Sequence, residues 1–129
     1  ERLRLTFVSM GNPHAVAFIQ KPVGEFLLHT IGPQVEHHPM FPQRVNFEIV
    51  NIEGQDRLLA RVWERGTGET LACGTGACAI TVAARLKGLV SDTVDIKLPG
   101  GTLKVQWDGQ GEVLLEGPAA EVFEGEWRE

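Results

Sequence analysis

The sequence from Cys73 to Gly88 reads Cys-Gly-Thr-Gly-Ala-Cys-Ala-Ile-Thr-Val-Ala-Ala-Arg-Leu-Lys-Gly, and the architecture predicted for the whole chain rests on it. It predicts a helix that starts just after Cys73 and carries small or apolar residues on almost every side until Arg85. Such a helix must be covered by the rest of the chain in all directions. Gly88 is predicted to cap its end, where the cationic side chains of Arg85 and Lys87 suit the negative end of the helix dipole.

Short strands are predicted on both sides of this helix, because apolar patterns alternate with clusters of turn residues. The predicted strands cover residues 3–7, 15–19, 45–52, 57–65, 93–98, 103–107, 113–116 and 121–125. One or two short helical pieces are expected between residues 26 and 38, interrupted at Gly32-Pro33, and residues 66–68 are expected to form a flexible joint. With many strands and one fully apolar helix, the sequence predicts an α+β fold in which a strongly bent, mostly antiparallel β-sheet wraps around one central helix.

The composition limits the class of protein. With 129 residues, 43% of them hydrophobic and 22% charged, the chain suits a single domain, 1–129. Its net charge of −5 argues against a nucleic-acid partner, and no apolar stretch approaches the roughly 20 residues that cross a membrane. Two cysteines give no disulfide framework, so we expect a reducing, cytoplasmic setting. No signal peptide is recognisable, and the first residue is Glu1 instead of methionine, which leaves room for a native N-terminus further upstream.

Cys73 occupies a chemically special place at the predicted helix start. Unpaired backbone N–H groups there attract anions and favour the thiolate over the thiol. Gly74 and Gly76 let a ligand approach the backbone closely, so the segment predicts a carboxylate or phosphate pocket beside a reactive thiol. The alternative is that Cys73 is a small apolar core residue, as free cysteines often are. Cys78 lies about 140° further round the helix and is assigned to the core.

Five polar residues at turns or strand ends could together bind an amino-acid zwitterion. They are Asn12, His14, Asn46, Glu64 and Arg65. Arg65 would bind the carboxylate, Glu64 the ammonium, and the asparagine amides either group. Simpler interpretations exist, since Asn12 suits a turn and Glu64-Arg65 a solvated ion pair. The adjacent His37 and His38 point apart and lack further ligands, so no metal site is predicted.

Four parts of the sequence resemble a known family. They are Met10-Gly-Asn-Pro-His14, Val45-Asn46-Phe-Glu48, Arg61-Val-Trp-Glu64-Arg65-Gly66-Thr-Gly68-Glu69-Thr70 with Ala72-Cys73-Gly74-Thr75-Gly76-Ala77, and Glu116-Gly-Pro-Ala-Ala-Glu-Val-Phe-Glu-Gly125. Together they resemble diaminopimelate epimerase, and more closely its C-terminal half, over nearly the whole chain. The Cys-Gly-Thr-Gly turn alone is less specific, because proline racemase-like proteins carry a similar one. The family's N-terminal half, with the other catalytic cysteine in a Cys-Gly-Asn-Gly turn, is absent from this sequence.

The resemblance implies a cofactor-independent isomerase that interconverts L,L- and meso-diaminopimelate in lysine and peptidoglycan-precursor biosynthesis. One thiolate removes the α-proton and a thiol on the opposite face returns a proton, which inverts the carbon. By resemblance, Cys73 is one of the two thiols, and Gly74 and Thr75 donate backbone N–H groups to the α-carboxylate. The other implied roles are binding of the reacting ammonium by Glu64, binding of the distal end by Asn12, Asn46 and Arg65, and tuning or deprotonation of the thiols by His14 and Glu64.

The missing N-terminal half is the expected partner, besides the amino-acid substrate. Because this chain supplies one thiol only, the resemblance implies that it is inactive alone. The sequence leaves open whether it forms a homodimer in place of the lost half. It also leaves open two other functions, a racemase or epimerase for another amino acid and a non-catalytic anion-binding module.

Overall fold

The computed structural model describes residues 3–116. The strands are β1 (Thr6–Ser9), β2 (Pro13–Phe18), β3 (Asn46–Gly54), β4 (Arg57–Glu64), β5 (Gly68–Thr70), β6 (Thr93–Leu98), β7 (Gly101–Gln106) and β8 (Leu114–Glu116). The helices are α1 (Leu28–Glu36) and α2 (Gly74–Leu86), and a short 3-10 helix at Val23–Glu25 precedes α1.

The strands form one sheet that curls around α2. Its order is β1-β2-β3-β4-β6-β7-β8, with β5 paired to the end of β4. The pairs β2–β3 and β4–β6 are parallel, and the other pairs are antiparallel. α2 contacts β1 and β2 near one edge of the sheet and β7 and β8 at the other. A flat sheet could not reach one helix from both edges, so the predicted bent α+β architecture is confirmed.

The inner face of the curled sheet packs against α2. Alternate residues of the strands point inward, and α2 meets them mainly with alanines, which let the helix approach the sheet closely. Fully buried side chains in this inner core include Val16, Val50, Val62, Ala77, Ile80 and Ile96. Eight residues of α2 are buried, so the helix is covered on nearly all sides, as its composition requires.

The C-terminus of α2 is closed by a Schellman motif around Gly88. This residue has a φ of +73°, a left-handed conformation that glycine adopts at little cost. The Gly88 N–H donates to the Arg85 carbonyl at 3.0 Å, and the Leu89 N–H donates to the Ala84 carbonyl at 2.9 Å. The prediction that Gly88 ends the helix is confirmed.

A second core, not expected from the sequence, covers the outer face of β2 and β3. Its buried members include Ala15, Ala17, Phe26, Leu28, Phe47 and Ile49. The cover comes from α1 and the 3-10 helix, with Ile31 and Val35 packed on the cluster. Helices therefore lie on both faces of this part of the sheet, which explains why β2 and β3 carry almost continuous buried runs instead of strict alternation.

α1 continues through Gly32-Pro33, where the sequence predicted an interruption. Pro33 removes one backbone hydrogen bond from the helix, which weakens it locally. Gly32 serves close packing: a Cβ atom on it would lie 2.5 Å from Cδ2 of Trp63. The indole of Trp63 lies directly under α1, and this packing on the sheet holds the helix together across the proline.

β1 departs from the predicted first strand. It begins at Thr6 instead of at residue 3, although Leu3 and Leu5 do pack on the outer core. Phe7, which the alternation placed in the core, is 56% exposed. It lies at the margin of the outer core, where its ring meets Phe41 edge-on with the centroids 5.7 Å apart. The predicted alternation of side chains was correct, but the segments that cover the outer face of the sheet end before they reach Phe7.

β5 was missed by the sequence pattern, which gave residues 66–68 as a flexible joint. Residues 65–67 form the tight turn that leads from β4 into β5, and Gly68 is already the first residue of β5. In this turn the Thr67 N–H donates to the Glu64 carbonyl at 3.0 Å. Three residues are too few for an alternating pattern to be visible in the sequence. The strand predicted at 121–125 lies outside the described residues.

Replacing Gly32 by alanine should destabilise the fold, because the new Cβ atom must push the Trp63 ring away from α1. Over-packing of this kind costs about 1–3 kcal/mol. Gly24→Ala is the matched control, since nothing lies within 4 Å of the Cβ position there. Urea unfolding of both variants measures the free energy of unfolding. Equal stability of the two variants would contradict the close contact with Trp63.

Candidate active site

Polar side chains occupy one end of the inner face, where the apolar core stops. Along β2, β3 and β4 the inward positions change from apolar to polar toward the same end of the sheet. The polar set is His14, Asn46, Glu48 and Glu64. The strand register pairs His14 with Asn46, and it places Glu48 between Val16 and Val62. Residues that are far apart in the sequence therefore meet at one end of the sheet.

The start of α2 lies at this polar end. Cys73 is the N-cap of the helix, and its Sγ accepts a hydrogen bond from the Gly76 N–H at 3.3 Å. Gly76 lies against β4, since a Cβ atom on it would be 3.3 Å from Cγ2 of Val62. The prediction that Cys73 stands at the mouth of a helix is confirmed.

Two backbone donors at the start of α2 remain for a ligand. The N–H groups of Gly76 and Ala77 are taken by the Sγ and the carbonyl oxygen of Cys73. Within residues 3–116, the N–H groups of Gly74 and Thr75 have no such acceptor. The helix has 13 residues, and the positive end of its dipole lies here. This arrangement suits a carboxylate.

Burial raises the pKa of the Cys73 thiol above its ordinary value. The Thr75 hydroxyl, 3.6 Å from Sγ, and the Gly76 N–H act in the opposite direction, and the Glu64 carboxylate raises the pKa further. The expectation that the helix start favours the thiolate is therefore wrong for this chain by itself, because desolvation outweighs the donors. The thiol form predominates at neutral pH. A neighbouring base must therefore remove the proton of the Cys73 thiol before its thiolate can accept a proton.

Glu64 and Arg65 follow each other at the end of β4, and both side chains are half-buried. Oε2 of Glu64 accepts a hydrogen bond from the Thr70 hydroxyl at 2.9 Å, which ties it to β5. Nη1 of Arg65 donates to the Gln43 carbonyl at 3.2 Å. Both groups therefore stand at the rim of the polar end with capacity for a ligand.

Both the oxygen and the nitrogen of the Asn46 amide form hydrogen bonds inside the protein. Its Oδ1 accepts from the Arg65 N–H at 2.7 Å, and its Nδ2 donates to the Pro13 carbonyl at 3.2 Å. The side chain is only 5% exposed. Asn46 thus joins the start of β2 to the end of β4, and one amide hydrogen remains for anything else.

His14 lies between two polar partners in the interior. Its Nδ1 is 2.5 Å from Oε2 of Glu48, and its Nε2 is 3.1 Å from Oδ1 of Asn12. Burial raises the pKa of Glu48 to about 7, although the hydrogen bond from His14 acts against this. No role was predicted for Glu48 beyond its place in a motif. The sequence did contain a signal for such a role: Glu48 is a carboxylate within the mainly apolar run 45–50, and a carboxylate is rarely buried without a partner.

Glu36, a second buried carboxylate that sequence reasoning missed, fixes the turn after Glu64. Its Oε1 accepts from the Trp63 indole N–H and its Oε2 from the Gly66 N–H, both at 2.8 Å. Burial would raise its pKa, but these two donors, with His37 and Arg44 nearby, hold the pKa below its usual value. The end of α1 is thereby tied to the segment that carries Glu64.

An ion pair holds the other side of the same hairpin. Arg61 on β4 binds Glu69 on β5 with two hydrogen bonds of 2.8 Å, the bidentate geometry that guanidinium and carboxylate favour. Nη1 of Arg61 also donates to the Val23 carbonyl at 2.7 Å. Because the pair is mostly buried and well aligned, it fixes the β4–β5 hairpin to the layer that covers the outer face.

The two adjacent histidines take part in local contacts. Nε2 of His37 lies 3.7 Å from Oε1 of Glu36, and Nδ1 of His38 accepts from the Met40 N–H at 3.1 Å. Across residues 3–116, no three histidine, cysteine, aspartate or glutamate side chains gather as they would around a metal ion. Neither α1 nor α2 has the length and apolar character of a membrane span.

The family assignment comes from comparison with known sequences. The sequence model of a family described as diaminopimelate epimerase matches residues 6–122. Proteins named diaminopimelate epimerase from Leptospira biflexa and Cyanothece sp. are 54% and 53% identical over 126 and 122 residues. These matches cover 98% and 94% of this chain but only 45% and 43% of the relatives. The chain thus spans about half the length of the curated relatives it matches.

Solved structures share the fold at low sequence identity. A phenazine biosynthesis protein of the PhzF family from Bacillus anthracis matches with a TM-score of 0.57 and 19% identity, over 88% of this chain and 38% of that one. A PhzF family protein from Enterococcus faecalis matches with a TM-score of 0.53 and 18% identity, over 74% of this chain and 34% of that one. At these identities the likeness concerns the fold alone.

Cys73 should react with iodoacetamide well before Cys78, because Cys78 is only 8% exposed. Since the pKa of the Cys73 thiol is raised, its labelling rate should climb steeply between about pH 7 and pH 9. Glu64→Gln should speed the labelling at a fixed pH, as it removes a charge that raises this pKa, whereas the exposed Glu25→Gln should not. Peptide mapping after brief labelling gives both rates. Faster modification of Cys78 would contradict the helix placement.

Proposed function

The chain belongs to the diaminopimelate epimerase family, and on this premise we propose that it is the C-terminal half of an enzyme that interconverts L,L- and meso-diaminopimelate without a cofactor. The relatives are about twice as long, which supports the idea of a second half. In this proposal the chain is an amino-acid epimerase half-domain of lysine and peptidoglycan-precursor biosynthesis, and it works in the cytoplasm, where its two free thiols stay reduced.

One observation carries the proposal: a thiol, two free backbone donors and a carboxylate meet at the start of α2. Cys73 would exchange the α-proton on one face of the substrate carbon. The N–H groups of Gly74 and Thr75 would bind the α-carboxylate, where negative charge develops once the proton has left. Glu64 would bind the reacting ammonium and draw the proton from the Cys73 thiol.

A raised pKa of the Cys73 thiol is compatible with this role. As a thiol it can give a proton to the carbanion in one direction of the reaction. In the other direction the thiolate must form, and a carboxylate beside Sγ can accept that proton. A bound ammonium group would also stabilise the thiolate, because a positive charge lowers the pKa of a nearby thiol.

The distal end of the substrate would lie over the rim formed by the end of β4. Arg65 would bind the second carboxylate, since its remaining guanidinium donors can form a planar two-point contact. Asn12 and Asn46 would add amide contacts. The contribution of Asn46 is limited to its remaining N–H, because its oxygen holds the Arg65 backbone.

The missing half is the proposed partner, and it would supply the second thiol. Exposed leucines beside the start of α2 support the proposal that the missing half covers this region. Leu71 is 68% exposed and Leu115 is 46% exposed. A Cβ atom on Gly74 would lie 3.0 Å from Leu115, so this apolar surface directly adjoins the proposed substrate site.

The chain alone should not invert L,L-diaminopimelate, because it supplies a proton-transfer group on one face only. Adding the N-terminal half of the Leptospira biflexa relative as a separate polypeptide should restore turnover, measured as α-hydrogen exchange in D₂O and as inversion. In the complemented pair, Cys73→Ala should lose about 10²–10⁴-fold in rate, whereas Cys78→Ala should stay active. Inversion by the chain alone at the rate of an intact epimerase would refute the two-thiol assignment. Faster α-hydrogen exchange with another amino acid than with diaminopimelate would favour a racemase or epimerase for that amino acid. Binding of the ligand without any α-hydrogen exchange would favour a non-catalytic binding module.

Arg65→Lys in the complemented pair should weaken diaminopimelate binding. The loss of binding free energy should be larger than the loss that follows when a contact at a solvated surface is removed. Removing a hydrogen-bonded charge partner from a desolvated site costs about 2–5 kcal/mol, and lysine cannot make the planar contact. The loss should shrink sharply for a substrate that lacks the distal carboxylate, so KM for both substrates is the measurement. Equal losses for the two substrates would place Arg65 in the scaffold.

A further inference from the structure

Glu48 is a buried carboxylate whose chemistry the proposed mechanism does not use. It lies on β3, in the polar set at one end of the inner face, with 0% exposure. Its Oε2 contacts Nδ1 of His14, and its Oε1 has no hydrogen-bond partner within the described residues. A carboxylate in the interior that lacks a second partner costs free energy, so a buried group of this kind calls for an explanation.

The charged and titratable groups around Glu48 are few. His14 faces it from β2, and Glu64 faces it from β4 and disfavours its charge. Cys73, at the start of α2, is coupled in turn to Glu64. In the described part of the chain, His14 is the one basic side chain within salt-bridge distance of Glu48. Burial is the largest influence on the pKa of Glu48, and His14 is the one described partner that stabilises its charged form.

The geometry around the His14 ring restricts where its proton can be exchanged. Nδ1 points inward at the Glu48 carboxylate, and Nε2 points at the Asn12 amide near the turn that precedes β2. Oδ1 of Asn12 can accept a hydrogen bond from a protonated Nε2. A half-turn of the amide would instead present its NH₂ group to an unprotonated Nε2. Asn12 can thus match both states of Nε2, whereas a carboxylate can only accept.

We propose that Glu48 is a positioning residue for His14: it holds the proton on Nδ1, fixes the orientation of the ring, and so confines proton exchange to Nε2. This inference rests on the proposed function for its catalytic meaning. In the complete enzyme of the proposed function Cys73 gives its proton to Glu64, so the proton donor to His14 would be the thiol of the missing half: its S–H bond breaks, the N–H bond forms at Nε2, and sulfur keeps the electron pair. Glu48 then stabilises the imidazolium, as a buried carboxylate does for a catalytic histidine.

The direct test is the tautomer of His14, read from the ¹⁵N chemical shifts of its ring nitrogens in the 129-residue chain. At a pH where the ring is neutral, the expected form carries its proton on Nδ1. Glu48→Met, which fits an apolar interior, should move the proton to Nε2, and Glu48→Gln should give a lower Nδ1–H fraction than the wild type. Glu53→Gln, at the exposed end of the same strand, should change nothing. A neutral wild-type ring protonated on Nε2 would overturn the proposal.

A kinetic test uses the chain complemented with the N-terminal half. Glu48→Gln should lower kcat by about 10- to 100-fold, as loss of an orienting partner does, while KM stays within about twofold. An unchanged kcat, or an equal rise in KM, would overturn the positioning role. If the complemented pair shows no epimerase activity at all, the proposed function fails, while the tautomer measurement still decides the role of Glu48.

Discussion

The structure depends on one constraint: α2 has almost no polar face. Alanines such as Ala77 and Ala83 leave the helix backbone close to whatever covers it, so the cover must be smooth, apolar and continuous. A single flat sheet covers one side only, and the curled sheet supplies the rest. The curl of the sheet and the contacts that α2 makes at both sheet edges meet this requirement.

The same wrap creates the candidate site, because one end of α2 must emerge from it. At that end the inward positions of three neighbouring strands become polar, and the helix offers free N–H groups and a thiol. This arrangement buries carboxylates, and their desolvation costs free energy. Glu36 has two donors and remains charged, whereas Glu48 has one close partner and a pKa raised to about 7. Burial raises the pKa of Glu48 and the Glu64 carboxylate raises it further, whereas Glu36 has two hydrogen-bond donors and the cationic groups of His37 and Arg44 nearby.

The helix, its cap and the place of Cys73 could be predicted because they are local. The composition of residues 74–86, the glycine after the last turn and the position of the thiol before the first one are visible in a single segment. The errors concern features decided by distant residues. α1 runs through Pro33 because Trp63 lies beneath Gly32, and the pKa of Cys73 is raised because burial outweighs the helix start. No local pattern carries that information.

The class of fold, the central helix and the polar residues from which a site could be built can be predicted from the amino-acid sequence. Which of these residues meet, and how burial and neighbouring charges act on them, depends on how distant segments pack together. His14 and Glu48 are 34 positions apart and become partners through the parallel pairing of β2 and β3. The physical reason is that periodicity reports which face of a strand is buried, whereas register, desolvation and charge coupling arise only when separate elements pack together.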